Sequence, residues 1–548
     1  MPNTAALSGW GKSSSSLVTL PRSPVLAAID IGTNSIHMAV VRVNPDLPSF
    51  EIIAREKATV RLGDRDPVTE ELTPEAIERS LAALSRCRDL ATSLKVDQTV
   101  AVATSATREA PNGRAFLKQV QKNLGLTVDL IAGPEEARRI YLGVLSGLEF
   151  EGRPHAVIDI GGGSTELILG DGHEPRYLSS TKVGAVRLTA AFIKHDPPTK
   201  SEFNALQSYA RGMLERAAEE LQAQLHSHES LKDVTLVGTS GTIECLAEFH
   251  ARSNLGMVPS PLQGYTLSLK AVREIVDYLR TLTVQKRREL PGLNERRAEI
   301  IIAGAVILQE AMELLGLDHL VVCERALREG IVVDWMLGHG LIEDRLRFQR
   351  SVRERSTLAL AHKYQVNLAA AEHVATLALM LFDQSKGLLH DWGEEERELL
   401  WTAAVLHRCG LHIGHSAHHK HAYYLIRHGE LFGFTETEVE IIANLARYHR
   451  KSAPKKRHEN YQSLAGKEAR RLVDELSPLL RLAVALNRRQ IQAVERVQCQ
   501  VLGDLEKFCL LIFPAHSNDS CALEQWSVNL EKGIFEDQFK VPLELILA

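Results

Sequence analysis

The chain has 548 residues, 45% of them hydrophobic and 24% charged, with 64 Lys or Arg against 69 Asp or Glu. This composition excludes collagen, a coiled-coil rod and wholesale disorder, and the small negative balance excludes a nucleic-acid-type polycation. At roughly 150 residues per domain the length predicts three or four domains, and no apolar run approaches the roughly 18 residues of a membrane span.

Seven scattered cysteines form no CxxC pair, which argues against a disulfide framework or zinc ribbon and for a reducing, cytoplasmic setting. Residues 1–24 hold a run of four serines, Lys12, Arg22 and no acid, and are expected to be a disordered extension rather than a transit peptide. Residues 25–30 predict a buried strand closing on a turn at Gly32, and residues 37–43 a second strand. Residues 74–93 are amphipathic behind the helix-start pair Thr73-Pro74. Residues 99–103 predict a strand running into 104–108, and residues 134–145 a helix opening on Pro, Glu and Glu. Residues 155–160 predict a strand ending in three glycines, residues 234–237 another ending in the run GTSGT at 238–242, and residues 299–315 a buried helix. Strands and helices interleave to about residue 336, an α/β pattern. Beyond residue 340 amphipathic helices over 369–382, 394–406 and 436–449 dominate, and strand-like stretches return at 507–513, 521–530 and 533–541. The expected domains are an extension at 1–24, α/β lobes at 25–148 and 149–336, a helical domain at 337–495 and a small mixed module at 496–548.

Segments 29–35 and 158–164 both read I-D-I-G-x-x-S, with the two Asp residues 129 positions apart. Each follows an apolar strand and precedes another strand-like stretch, so two related lobes are expected. Such a turn suits phosphate. Gly32, Gly161, Gly162 and Gly163 let the backbone approach an oxyanion, successive N–H groups form an anion nest, and Thr33, Asn34, Ser35 and Ser164 add polar groups. Asp30 and Asp159 repel a phosphate and make sense there only with a divalent metal or a water between. Gly238, Thr239, Ser240 and Gly241 supply a third turn of the same chemistry. Each alone is equally a plain strand-turn; three in one α/β block point to phosphate.

Together the turns resemble the phosphate and nucleoside motifs of the actin-like ATPase superfamily. With Thr104-Ser105-Ala106-Thr107-Arg108, Gly133-Pro134-Glu135-Glu136-Ala137-Arg138 and Ala326-Leu327-Arg328-Glu329-Gly330, the chain resembles the exopolyphosphatase/guanosine pentaphosphate phosphohydrolase (Ppx/GppA) family. The resemblance is strong over about residues 25–336 and continues as the family's long form, with an HD-like third domain and a small fourth. It implies two actin-like (ribonuclease H-like) lobes, an all-α HD-like domain and a small α+β module. It also implies that Glu136 is the general base that positions and deprotonates an attacking water, whereas Glu135 reads more simply as favouring a helix N-terminus. Asp159, with Glu166, would hold Mg²⁺ or Mn²⁺, although Glu166 could instead be an exposed strand residue. Arg108 would face the terminal phosphates, where its planar fork suits phosphate oxygens, the alternative being a surface salt bridge. Ala132 stands where the family often has Ser, which removes a hydroxyl from that loop.

In the HD-like region the metal-ligand positions read His373, His407-Arg408 and Asn487. Two carboxylates are missing and one is replaced by a cation, so no HD metal centre is expected. His407, His412, His415, His418, His419 and His421 are still crowded, and are read as an anion-facing surface in preference to a metal cluster. Residues 441–490 carry twelve Lys or Arg and four acids, a window that predicts a polyanion groove at Arg450, Lys451, Lys455, Lys456 and Arg457. The expected activity is exopolyphosphatase, release of terminal orthophosphate from polyphosphate by metal-assisted water attack. The alternatives are 5′-phosphohydrolysis of guanosine pentaphosphate and a non-catalytic nucleotide-binding regulator. The expected partners are polyphosphate or guanosine pentaphosphate and a second copy in a homodimer, with no membrane and no specific nucleic acid.

Overall fold

The computed structural model describes residues 23–150, 152–172, 175–225, 233–342, 352–502 and 507–548; the expected extension lies outside these up to residue 22. In the first lobe β1 (Val25–Ile31) pairs antiparallel with β2 (Ser35–Asn44), and β2 with β3 (Ser49–Thr59). On its other edge β1 runs parallel to β4 (Gln98–Ala103), and β4 to β5 (Val128–Leu130). The second lobe contains β6 (His155–Ile160), β7 (Thr165–Gly170), β8 (Tyr177–Thr181), β9 (Thr235–Thr239), β10 (Thr266–Ser268) and β11 (His319–Val322). The two sheet orders are β3-β2-β1-β4-β5 and β10-β11-β9-β6-β7-β8. Without the edge strand β10, the second sheet repeats the first strand for strand. The repeated I-D-I-G motif therefore marks a repeat of an entire sheet, as two actin-like lobes require.

Strand alternation decides which face carries the motif aspartates. Ala27, Ile29 and Ile31 enter a core with Leu84 and Phe116. Leu26 and Ala28 enter another, shared with Tyr141, Leu145 and Val333 and with Val157, Ile168 and Val237 of the second sheet. Asp30 is in phase with Ala28, and Asp159 with Val157. Both aspartates consequently end their strands on the faces that look toward the other lobe.

Two helices, Gly133–Leu145 and Leu327–Gly338, fill the layer between the sheets. They cross at two glycines. A Cβ on Gly143 would lie 2.0 Å from the Ala326 carbonyl oxygen, and one on Gly330 1.7 Å from the Arg139 carbonyl oxygen. The first of these helices has Ala132 at its N-cap and no side-chain cap, the consequence of the missing hydroxyl.

Helices Val352–Lys363, Leu368–Ser385, Glu394–Leu406, His418–Arg427, Glu436–Tyr448 and Gly466–Leu486 surround one further core. The tail departs from expectation. Of its three strand-like stretches only the first is a strand, within β13 (Lys507–Pro514), which lies between β12 (Val494–Leu502) and β14 (Leu543–Leu547). The other two are one helix, Ala522–Phe539, whose buried residues Glu524, Ser527, Val528 and Phe535 recur at helical spacing across Gly533. Phe508, Leu510 and Phe535 join the helical core, so the tail has no core of its own.

The helical domain docks on both lobes. Arg325 lies with its guanidinium 3.4 Å from the Phe432 ring centroid and 4.7 Å from that of Phe50, and donates to the carbonyl and hydroxyl of Ser146 at 2.9 and 2.8 Å. Among the described residues no helix is long and apolar enough to cross a membrane.

The glycine crossing makes a direct prediction. Gly330→Ala forces two backbones apart and should cost about 1–3 kcal/mol, read as a lower thermal midpoint. Gly338→Ala, on the same helix but facing open space, should leave the midpoint within a degree or so of the parent. Equal midpoints for the two variants would show that the crossing is not tight.

Candidate active site

A cleft of about 190 Å³ opens between the lobes. The turns of both repeats form two of its walls, and the N-terminal ends of helices Gly133–Leu145, Gly241–Leu255 and Leu327–Gly338 form others. Every residue singled out in the two I-D-I-G turns lines it, as do Glu136, Glu166, Ser240 and Gly241. The repeat extends to the strand register: Asp30 faces His37 across β1 and β2, and Asp159 faces Glu166 across β6 and β7. Glu166 and His37 are thus equivalent positions with opposite chemistry. His37 hydrogen-bonds Ser35 Oγ at 3.0 Å, and burial with the nearby charges of Arg328, Lys57 and Arg297 pushes its pKa down to about 2, so it is neutral.

Small residues are obligatory where the repeats meet. A Cβ on Gly163 would lie 2.4 Å from Ser105 Oγ and 2.8 Å from Thr33 Oγ1, so only glycine lets the two turns face one another. The third turn starts later than its sequence implied. Gly238 and Thr239 still belong to β9; Gly238 packs on Leu320, and Thr239 is fully buried and donates to the Arg325 carbonyl at 2.9 Å. Neither lines the cleft. The chain turns at Ser240, whose φ is +79°, and Ser240 and Thr242 donate to the Ile160 carbonyl at 2.9 and 3.1 Å.

Glu136 is 7% exposed and Glu166 1%, so Glu166 is no exposed strand residue. It accepts from Ser180 Oγ at 2.7 Å. Arg108 is not a surface salt bridge either: its Nη1 donates to the Ile131 carbonyl at 2.7 Å and to Glu136 Oε2 at 3.2 Å. It reaches the cleft through Glu136, which it orients, and does not itself line the wall. Glu135 points away and is held by Arg138 and Arg139 at 2.7 and 2.8 Å, both of which also bind Asp334.

Four carboxylates of the cleft, Asp30, Glu136, Asp159 and Glu166, act on one another. Burial raises Asp30 and Asp159 to about 7 and Glu136 to about 8, and Glu166 well above the carboxylate range. Mutual repulsion adds to burial: Asp30 and Asp159 raise Glu136, Glu136 raises Glu166, and Asp30 raises Asp159. Asp30 Oδ1 is buried without a hydrogen-bond partner. Three cations, Lys57, Arg297 and Arg328, line the same cleft with a fifth carboxylate, Glu244; Arg328 acts on Asp30 and Arg297 on Asp159. Burial and then the two arginines push the Lys57 pKa down. Arg328 lies inside the Ala326–Gly330 motif; Lys57, on β3, and Arg297, in a run of charged residues, belong to no motif. Neither had a local signal. A cleft lined by both buried carboxylates and cations suits a phosphate chain whose last phosphoryl group meets a cation among the carboxylates.

Residues 39–339 match the Ppx/GppA phosphatase family, and residues 352–532 match Ppx/GppA phosphatase, domain III. The chain is 32% identical over 492 residues to a guanosine-5′-triphosphate,3′-diphosphate pyrophosphatase of Vibrio parahaemolyticus, covering 89% of this chain and 92% of that protein. The protein of that name from Vibrio cholerae is likewise 32% identical, over 478 residues, covering 86% and 89%. Among solved structures, an exopolyphosphatase from Cytophaga hutchinsonii superposes with a TM-score of 0.53 at 26% identity, covering 57% of this chain and 98% of that one.

The carboxylate cluster should weaken the fold. An Asp159 that titrates at about 7 when folded and at an ordinary aspartate's 3.8 when unfolded keeps its proton longer in the native state. Stability therefore falls as pH rises from about 4 to about 7. In EDTA, Asp159→Asn should raise stability at pH 8 by about 1–3 kcal/mol and by much less at pH 5, where Asp159 is already protonated. A variant less stable than the parent at pH 8 would contradict the repulsion.

Proposed function

We propose that this chain, which belongs to the Ppx/GppA phosphatase family and is a phosphoanhydride hydrolase, removes the terminal 5′-phosphate of guanosine 5′-triphosphate 3′-diphosphate. Sequence reading placed polyphosphate first and this nucleotide second; the order is now reversed. The relatives named for the nucleotide align over about nine-tenths of their length. One structural observation carries the same preference. Beyond Glu244 and Arg328 the cleft continues into a cavity of about 380 Å³ between both lobes and the helical domain. Four arginines (55, 325, 328 and 427) and four glutamates (244, 324, 329 and 430) line it, with Gln263. A polyphosphate threaded through would meet four carboxylates. A guanine, with donors and acceptors on its edge, and a short 3′-diphosphate fit a mixed lining better.

In this reading the terminal phosphoryl group lies between the two I-D-I-G turns, with the remaining phosphates toward Lys57, Arg297 and Arg328. Glu136 accepts a proton from water as the water oxygen bonds to phosphorus. The bond from phosphorus to the bridging oxygen breaks, and the departing oxygen stays on the β-phosphate. Arg108 holds the Glu136 carboxylate toward that water. Backbone N–H groups of both turns, with Ser35 and Ser164, bind the equatorial oxygens. The carboxylate cluster fits a divalent cation, because Asp30 Oδ1 lacks a partner and the acids repel one another. Among the described residues no three acidic, His or Cys side chains are arranged to hold a metal by themselves. Mg²⁺, bound by one or two carboxylates and by substrate phosphate, matches that arrangement. One or two of Asp159, Asp30 and Glu166 would hold it together with substrate phosphate, and it would neutralise phosphate charge.

A second reading keeps polyphosphate, on the observation that Lys455, Lys456 and Arg457 are exposed in the loop before helix Glu459–Gln462. Part of the wider basic window is already engaged. Arg481 pairs with Glu531, and Arg489 with Asp519 and Glu524; these acids lie outside the counted window. Arg450 turns inward onto His418.

Glu136→Gln should lower kcat by about 10²–10⁴-fold with the fold intact, and near-normal turnover would remove Glu136 from the mechanism. Mg²⁺ should raise the thermal midpoint more at pH 8 than at pH 5.5, since it competes with protons for the carboxylates; a pH-independent shift would place the ion elsewhere. Guanosine pentaphosphate and length-fractionated polyphosphate assayed side by side decide the substrate. We expect the higher kcat/KM on the nucleotide and little effect of neutralising Lys455, Lys456 and Arg457. Preference for long chains, lost in that triple variant, would establish the second reading.

A further inference from the structure

The histidine cluster of the helical domain takes no part in the cleft. Two helices, Glu394–Leu406 and Glu436–Tyr448, end in the same dipeptide, His407-Arg408 and His449-Arg450. Each of these histidines bonds through Nδ1 to the carbonyl three residues back, Ala404 at 2.6 Å and Ala446 at 2.5 Å, and their rings meet edge to face at 5.0 Å. Those bonds fix both tautomers, with the proton on Nδ1. His418 packs 5.2 Å from the His449 ring, and its Nε2 accepts from Arg450 Nη1 at 2.5 Å. A neutral His418 accepting at Nε2 carries its proton on Nδ1. That Nδ1 is buried without a partner, in a residue 6% exposed. An unmet buried donor calls for an acceptor.

The surrounding charge is of one sign. Arg408 is held down by burial and then by Arg450 and Arg488, and His419 feels Arg447, Arg450, Lys420 and Lys451. Among the described residues the leading charges acting on His407, Arg408, His418, His419 and His449 include no carboxylate. Neighbouring arginines of this domain contrast sharply: Arg427, Arg481 and Arg489 each bind acids directly. Among the described residues the Arg408 and Arg488 side chains have no hydrogen bond or ion pair. A cavity of about 230 Å³ opens beside Arg408, lined also by Tyr364, Asn367, His412 and Gln490 and by no acid. A divalent metal is the poorer occupant. The positions that would supply its carboxylates are Arg408 and Asn487, and Arg450 already occupies one of the three central imidazoles.

We propose that Arg408, Arg450 and Arg488, with the His418 Nδ1–H, form a second anion site in the helical domain, which takes a phosphate-bearing ligand. Arg408 and Asn487 stand where the HD-like pattern would place metal-binding acids, so the charge there suits an anion. Guanidinium forks are suited to phosphoryl oxygens, and the adjoining cavity leaves room for the body that carries them.

The test uses the full chain carrying Glu136→Gln, in EDTA, titrated calorimetrically with inorganic pyrophosphate and separately with guanosine 5′-diphosphate. We expect a binding event that weakens about tenfold or more in Arg408→Gln/Arg488→Gln and persists in Lys57→Gln, which alters the cleft. Pyrophosphate binding as tightly as the nucleotide identifies phosphate alone as the ligand; tighter nucleotide binding adds the cavity beside Arg408. Should the double variant not fold, Arg488→Gln alone, at an exposed position, must weaken binding. Binding that follows Lys57 and ignores Arg408 and Arg488 overturns the proposal. So does stoichiometric Zn²⁺ binding without EDTA that is lost in His407→Ala.

Discussion

Four carboxylates are buried side by side between two sheets, and the organisation of the molecule follows from keeping them there. Asp30 and Asp159 end equivalent strands, Glu166 lies across the hairpin from Asp159, and Glu136 enters on the first turn of a helix. Repulsion among them opposes folding, so the surrounding structure must hold them rigidly. Two all-buried strands, β6 and β7, and two helices locked at paired glycines do so. The energy stored in that repulsion is available to a bound cation and phosphate chain, which relieve it.

Duplication accounts for the symmetry of the cleft, and divergence for the departures from it. Both sheets have one strand order and both turns one motif, yet His37 stands where its equivalent is Glu166. The first lobe adds Lys57 from β3, and Arg297 and Arg328 come from the second. The cleft thereby gains cations of its own beside the carboxylates. A symmetric pair of turns would bind a phosphate without choosing which phosphorus faces the water.

The helical domain repeats that logic at a distance. Its central histidines, His407 and His449, are anchored by bonds to helix carbonyls that do not depend on a metal. Its arginines elsewhere are neutralised by acids distant in sequence, Glu531, Asp519 and Glu524. Charge counted along a window therefore included arginines that acids elsewhere in the chain already bind. Docking through Arg325, held between Phe50 and Phe432, places the helical domain at the mouth of the cavity that extends the cleft.

The sequence by itself determined the elements whose side chains carry local, periodic information. Apolar strands closing on glycine turns, a helix announced by Thr73-Pro74 and the duplicated I-D-I-G-x-x-S motif all depend on neighbours a few residues away. Glu136, Asp159 and both turns were legible for that reason. Gly533 within a helix broke the local pattern and hid it, because a buried face at helical spacing outweighs one glycine. Tertiary structure alone decided what depends on long-range proximity. It showed that Gly238 and Thr239 stay in the strand behind the turn, that Arg108 acts on Glu136, and that Lys57, Arg297 and Arg328 converge from three unrelated segments. It also separated arginines bound to acids from arginines that are not. Charge acts through space and not along the chain, and no spacing in a sequence reports the distance at which two charges meet.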